Sequence, residues 1–378
     1  MALVKNDTTI QVLQHVPYPT LASHASWTPY LKLTEFSQLA HYEQQGWRLC
    51  TILFEPCRTL TNKSTTTSSS ALAHQQAMDF KQWLIQTVST HADTAIQTCK
   101  KTEPKDPYAP IFTAMTFGRI QEATTMAMQQ DDYTLALFLS SPLSPNNALK
   151  QRVNIESKNT KDGKKKKMSV YQAKIWQALC GETDLTLIHG LDWKQALVLY
   201  ILYGKTRSGE DPLDTLIGRY IKDTKYIKND DNNKNEKELT LSITSRKERD
   251  ASPWYNAIQW WWQRTYNNQK LDTVHITAWP SRLAWRFVIS FRDELSTTMI
   301  TDIMRRWCTD LQAIGLSEWA LFSSLFTSSK EMVVSILSRS PFIANEYNIP
   351  VSWIKEAEEA WQKSLTFKKD TPSIAQSL

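Results

Sequence analysis

Glycine is scarce in this chain, and its scarcity limits the folds that the sequence can form. The 378 residues include 9 glycines and 15 prolines, whereas average usage would give roughly 26 glycines. Tight hairpins and nucleotide-cradling loops depend on glycine, because it adopts positive φ angles at little cost. The sequence also lacks the Gly-x-x-x-x-Gly-Lys-Ser/Thr and Gly-x-Gly-x-x-Gly motifs of phosphate-binding loops. These absences favour helices joined by polar loops.

Cysteine pairs and long hydrophobic runs are missing as well. The five cysteines, at positions 50, 57, 99, 180 and 308, are odd in number and include no Cys-x-x-Cys pair. We therefore expect neither a disulfide framework nor a zinc site. No run of about 18 uncharged apolar residues occurs, so we expect no membrane span. The N-terminus carries no basic-then-apolar signal segment, which argues against secretion.

The side chains that enzymes use do not converge in any recognisable pattern. No His-Glu-x-x-His or Gly-x-Ser-x-Gly motif occurs, and the seven histidines are isolated. Helical enzymes that hold magnesium need a third acid after an acidic pair. Asp131-Asp132 lacks that third ligand, and Asp230-Asp231 lies among asparagines in the most polar loop and not on a cavity-lining helix. We predict no catalytic residue, no cofactor, no metal site and no small-molecule substrate, and hence a protein that is not an enzyme.

Apolar and aromatic residues are plentiful. They make up 41% of the chain and include 15 tryptophans, which suit helix–helix seams and protein interfaces. The best-marked helix is Leu191–Gly204, where Asp192 and Gln195 form a capping-box pattern. Gly204 stands where a left-handed residue would end that helix. Because nearly every position between these ends is apolar, neighbours must cover the helix on several sides. We predict an all-α fold, an irregular solenoid of antiparallel helix pairs.

Three consecutive tryptophans, 260 to 262, stand in the helical segment Pro253–Tyr266. Three successive residues on a helix fan across about 200°, so a single apolar stripe cannot bury all of them. Either neighbouring helices cover them inside the fold, which is the simpler interpretation, or a binding partner does. Trp260 and Trp262 are therefore candidate partner-binding residues.

Two stretches are strongly charged. Part of the net charge of +6 lies in Lys161–Lys167, within a predicted basic loop at 158–168. Such a run forms either a solvated loop, the interpretation that we prefer, or a nuclear-import or nucleic-acid patch. A nucleic-acid partner is not expected. The Asn-rich stretch 223–250 is predicted to be a disordered loop.

Several segments together resemble one family, the helical scaffold nucleoporins released from the C-terminal half of an autoproteolysed precursor. These proteins share the ancestral coatomer element fold. Each similar segment is by itself an apolar helix, but their order and spacing between Trp47 and Trp361 make the combination specific. The similar segments, in chain order, are Gly118–Ala123, Asp131–Leu137, Leu191–Gly204, Trp279–Phe291, Trp319–Arg339 and Ile349–Trp361.

The resemblance implies an elongated α-helical solenoid that folds back on itself as a trunk and a crown. An irregular N-terminal segment is expected at 1–30. The helical segments would then be an ascending trunk at 31–111, a crown at 112–190, a returning trunk at 191–313, and the start of the tail with a frayed C-terminus at 314–378.

The resemblance also implies a location and partners. Such proteins are scaffolds of the Y-shaped subcomplex in the nuclear pore's outer rings, at the nuclear envelope, and support nucleocytoplasmic transport and mRNA export. The crown would pack against the crown of a neighbouring nucleoporin in the long arm, and the tail would reach hub nucleoporins. Candidate crown contacts, to be divided between core and interface, are Leu135, Phe138, Ile175 and Leu179.

Two points stay open at this level. The family carries an N-terminal β-segment that completes an open β-propeller adaptor shared with vesicle coats. Residues 1–40 show no convincing run of strands, so we expect that adaptor as a partner only if such a segment is present. The alternative function is a vesicle-coat or other transport scaffold of the same helical fold.

Overall fold

The computed structural model of this chain is helical apart from one hairpin, which confirms the all-α fold class. It describes residues 8–13, 16–21, 26–32, 37–60, 66–140, 168–204, 212–225, 248–266, 279–327, 329–340 and 349–370. The strands are β1 (Thr8–Leu13) and β2 (Val16–Leu21). The helices are α1 (Thr28–Leu31), α2 (His41–Leu60), α3 (Thr66–Ser89), α4 (Ala92–Thr102), α5 (Tyr108–Thr116), α6 (Ile120–Gln129), α7 (Tyr133–Ser140), α8 (Val170–Leu179), α9 (Leu185–Ile188), α10 (Trp193–Tyr203), α11 (Leu213–Lys225), α12 (Pro253–Tyr266), α13 (Ser281–Phe291), α14 (Thr297–Ala313), α15 (Ser317–Ser324), α16 (Lys330–Leu337) and α17 (Val351–Asp370). Short 3-10 turns, Arg292–Glu294 and Leu325–Thr327, follow α13 and α15.

The N-terminal hairpin corrects the expectation of an irregular segment at 1–30. β1 and β2 pair antiparallel, from Thr8 opposite Leu21 to Leu13 opposite Val16. Threonine and β-branched residues make β1 a favourable strand. Because of the prolines at 17 and 19, the sequence of β2 does not have the pattern of a strand. A strand at the edge of a sheet nevertheless tolerates proline at positions whose N–H would make no hydrogen bond to the neighbouring strand.

The chain forms two compact units. One contains residues 1–47 together with 267–378, and the other contains residues 48–266. The division into these two units does not test the predicted boundaries of trunk, crown and tail, which stay predictions.

Helix α10 is the centre of the unit formed by residues 48–266. It packs against α3, α5, α8 and α11, which confirms that an all-round apolar helix is covered on several sides. The predicted capping box is present, because Asp192 accepts from the backbone of the first turn and Gln195 accepts from the Asp192 N–H at 3.2 Å. The prediction of a left-handed residue at Gly204 is wrong, since its φ is −70°. Glycine is needed there for space, because a Cβ would clash with the Tyr200 carbonyl oxygen.

The other unit stacks its C-terminal helices in chain order. Helices α13 to α17 each contact the next one along the sequence. The N-terminal segment is attached to this stack by Arg286 of α13, which is 1% exposed. Its guanidinium donates to the Ser26 carbonyl at 3.1 Å and lies 5.2 Å from the Trp27 ring and 5.1 Å from the Tyr30 ring. A cation held between two aromatic faces stabilises such a contact between distant parts of the sequence.

Candidate interaction surfaces

Helices α6 and α7 form a tight antiparallel pair in the predicted crown. Helix α5 ends at Thr116, and Gly118, two residues later, has a φ of +70°, a left-handed conformation that glycine adopts readily. A Cβ there would also lie 2.8 Å from Cγ1 of Ile85, so the backbone needs a glycine at this turn. The second turn places Asp132 as the cap of α7, with its carboxylate accepting from the Leu135 N–H at 3.0 Å. The Tyr108 hydroxyl donates to the same carboxylate at 3.1 Å, and burial together with Asp132 raises the pKa of Tyr108 to about 12.

Helix α7 exposes an apolar face. Tyr133 is 66% exposed and Leu137 is 65% exposed, and their spacing of four residues places them on one side of the helix. The opposite side of α7 is buried. Large apolar side chains held at the surface by a well-packed helix are typical of protein contact sites.

Most of the predicted contact residues lie inside the fold instead. Leu135 and Ile175 have no exposed surface, and Leu179 is buried as well. Phe138 is half-buried and packs edge-on against Trp176, with ring centres 5.8 Å apart. Leu135, Ile175 and Leu179 therefore fall on the core side of the predicted division between core and interface.

Sequence reasoning missed Tyr133 and Leu137 as the exposed members. Six of the eight residues of α7 are apolar or aromatic, so periodicity cannot tell which side faces the core. Helix α6 packs against α7 and Trp176 of α8 contacts Phe138, and these tertiary contacts leave Tyr133 and Leu137 exposed. Such a long-range contact leaves no local signal in the sequence.

The three consecutive tryptophans are covered internally, as the simpler interpretation predicted. Trp260 packs edge-on against Phe54 at 5.4 Å between ring centres, and the guanidinium of Arg264 lies 5.6 Å from its ring. Trp262 lies against Gly218 of α11, where a Cβ would come within 2.6 Å of the indole Nε1. Trp260 and Trp262 are both buried, so neither presents a surface to a partner in this fold.

A further exposed apolar group lies in the predicted tail. Ile314 and Leu316 flank Gly315 at the turn between α14 and α15, and Val351 begins α17. All three side chains are exposed. The packing of α17 itself uses a different side, where Ala357 is buried and Lys330 of α16 pairs with Glu356 at 2.6 Å.

The hairpin is a third candidate surface, because each of its strands has one edge that no other described strand covers. β2 contacts the 3-10 turn Leu325–Thr327. Nη1 of Arg292 donates to the Pro19 carbonyl at 3.3 Å. The hairpin is therefore attached to the C-terminal helices along β2.

The described residues contain no group of three or more histidine, cysteine or acidic side chains that could hold a metal ion. The buried thiol of Cys308 donates to the Ala320 carbonyl at 3.3 Å, and burial raises its pKa to about 12, so it is not an activated nucleophile. Among the described helices, none is both long enough and apolar enough to cross a membrane. Lysines 164–167 and most of the 223–250 loop lie outside the described residues.

Comparison with known families bears on the two alternative functions, the nucleoporin and the vesicle-coat scaffold. The model of the nuclear protein 96 family (Nup96) matches residues 109–361, which is two thirds of the chain. The chain belongs to the nuclear protein 96 family. It is a nucleoporin and a component of the nuclear pore complex at the nuclear envelope, as the resemblance of its helical segments predicted. The vesicle-coat alternative is not favoured.

The family match includes some of the surfaces described above and leaves out others. It begins in α5 and ends in α17, so it includes the exposed side of α7 and the α14–α15 turn. The hairpin and α2 to α4 lie before its first residue. The family match therefore gives no information about the function of the N-terminal part.

Proposed function

We propose that this nucleoporin is a structural scaffold of the Y-shaped subcomplex in the outer rings of the nuclear pore. It holds neighbouring nucleoporins through apolar surfaces of its crown and tail, and so supports nucleocytoplasmic transport and mRNA export. Its contribution is mechanical, with no reaction catalysed and no cofactor bound.

The distribution of exposed apolar side chains carries this proposal. Ten large apolar side chains are exposed among the described residues. Four of them lie between 128 and 170 in the predicted crown, and three lie between 314 and 351 in the predicted tail. Because exposing apolar area to water is unfavourable, such side chains concentrate where a partner covers them. The crown neighbour would cover the exposed side of α7, and a hub nucleoporin would cover the α14–α15 turn.

The sequence predicted the open propeller adaptor as a partner only if an N-terminal β-segment is present. Strands β1 and β2 form such a segment at 8–21, which supports this partner. We include that adaptor among the proposed partners, with the hairpin as its contact.

The double variant Tyr133→Glu/Leu137→Glu tests the crown contact. Both side chains are exposed, so the charges should leave helicity unchanged while adding two desolvated carboxylates to the interface. Co-purification of the crown neighbour should fall at least tenfold, since one such buried, unpaired charge costs more than about 1.4 kcal/mol. Met78→Glu is the matched control, because Met78 is exposed on α3, outside the predicted crown.

Two results would contradict the crown proposal. If the double variant assembles as well as Met78→Glu, the exposed side of α7 is not a contact. If it loses far-UV circular dichroism, α7 is part of the core and its exposure has been misjudged.

A further inference from the structure

The turn beside the exposed side of α7 carries negative charge only. Residues 120–149 contain no lysine, arginine or histidine, and their acids are Glu122, Asp131 and Asp132. Glu122 pairs with Arg119 at 3.3 Å, and the carboxylate of Asp132 caps α7. Asp131 is exposed, and among the described residues it neither caps a helix nor pairs with a cation. Its negative charge is therefore available to a partner.

The backbone of the turn does not account for an acid at position 131. Asp131 has a φ of +55°, and its N–H donates to the Met128 carbonyl at 3.0 Å, just beyond the end of α6. Glycine, and less often asparagine, is the usual residue at this left-handed position after a helix. Either residue would make the same turn without a charge, so the fold gives no reason for the carboxylate.

The carboxylate of Asp131 instead orients an exposed tyrosine. The Tyr133 hydroxyl donates to Oδ1 of Asp131 at 3.1 Å. This bond restrains the ring on the exposed side of α7, where Leu137 lies one helical turn further along. A side chain that is already ordered loses less conformational entropy on binding, and tyrosine is among the residues that contribute most to protein interfaces.

We propose that the exposed side of α7 binds an apolar groove bordered by basic side chains on another protein, and that Asp131 both orients Tyr133 and pairs with that basic border. This inference rests on the proposed crown contact and adds the chemistry of its partner. A carboxylate covered by a partner needs a cation or hydrogen bonds to offset its lost hydration. A guanidinium meets this need best, because it can bind both carboxylate oxygens. A second copy of this chain would instead place acid against acid, which is unfavourable.

The variant Asp131→Asn tests the charge alone. Asparagine tolerates the positive φ, and its side-chain oxygen can still accept from Tyr133. The probe is the purified crown neighbour, titrated against the full chain by biolayer interferometry at about 50 mM and about 300 mM NaCl. Glu359→Gln is the matched control, because Glu359 is exposed on α17, in the predicted tail, and its loss changes the net charge equally.

The association rate constant of the wild type should fall as salt screens the attraction. Asp131→Asn should lower it about two- to fivefold at low salt and weaken its salt dependence, while Glu359→Gln behaves like the wild type. Tyr133→Phe keeps the charge but loses the bond to Asp131. It should dissociate about two- to tenfold faster with the salt dependence unchanged.

An association rate that rises with salt, or rises in Asp131→Asn, would show an acidic border on the partner and overturn the proposal. Identical behaviour of Asp131→Asn and Glu359→Gln would overturn it too. If Tyr133→Glu/Leu137→Glu still abolishes binding in that case, the crown contact stands and only its charge selectivity is wrong. A wild-type homodimer in sedimentation that Tyr133→Glu/Leu137→Glu dissociates would show that a second copy is the occupant, against the proposal.

Discussion

Gly218 offers the sharpest test of how the tryptophan cluster is packed. It lies within helix α11, and Trp262 of α12 fills the space beside it. A Cβ at position 218 would lie 2.6 Å from Nε1, 2.9 Å from Cε2 and 3.0 Å from Cζ2 of the Trp262 ring. The close approach of α11 and α12 therefore depends on the absence of a side chain at position 218.

Two opposing effects set the magnitude for Gly218→Ala. In an unobstructed helix, this change stabilises by about 1 kcal/mol, because alanine has the better helix propensity. Here the indole must move by about 0.8 Å to restore an ordinary contact of 3.4 Å. Overpacking of this kind costs about 1–3 kcal/mol, and a buried ring leaves little room for adjustment. We expect a net loss of up to about 2 kcal/mol in the free energy of unfolding, which is the overpacking cost less the gain in helix propensity.

A double-mutant cycle in urea, followed by circular dichroism at 222 nm, would measure this coupling. Trp262→Leu alone should destabilise by leaving a cavity, but Gly218→Ala added to it should cost little or become favourable. A coupling of about 1–3 kcal/mol between the two positions, equal to the overpacking cost, would show that they pack against each other. Additive effects, or a stabilising Gly218→Ala in the wild-type background, would refute the packing and reopen a partner-binding role for Trp262.

Three further predictions concern single side chains. Asp192→Ala should lower the free energy of unfolding by about 1 kcal/mol in urea titrations, because it removes the α10 N-cap. Site-resolved mass spectrometry after iodoacetamide treatment at pH 8 should find Cys99 modified before Cys308, whose burial raises its pKa to about 12 and leaves the thiol protonated. Arg286→Lys should destabilise by about 1–2 kcal/mol, since an ammonium cannot stack on two rings as a guanidinium does, and limited proteolysis should then release the N-terminal segment faster.

Helix positions followed from the sequence where local chemistry determines them. The capping pair Asp192 and Gln195 is present as predicted, because these contacts span three residues and need no tertiary partner. The hairpin was missed because Pro17 and Pro19 break the pattern expected of a strand. They are compatible with β2 only because both fall on its outward edge, and that depends on the register with β1.

The candidate surfaces were harder to predict than the fold, for a related reason. A scaffold of stacked helices needs apolar residues both for its core and for its partners, so hydrophobicity alone does not separate Leu135 from Leu137. They stand two positions apart on α7, and packing against neighbouring helices buries one and exposes the other. The three consecutive tryptophans, for which internal burial was the simpler interpretation, are buried, and the ring of Trp262 occupies the space that Gly218 leaves. We expect a core of such large rings to let the chain fold before assembly, and Tyr133 and Leu137 are the exposed side chains that we propose a partner buries.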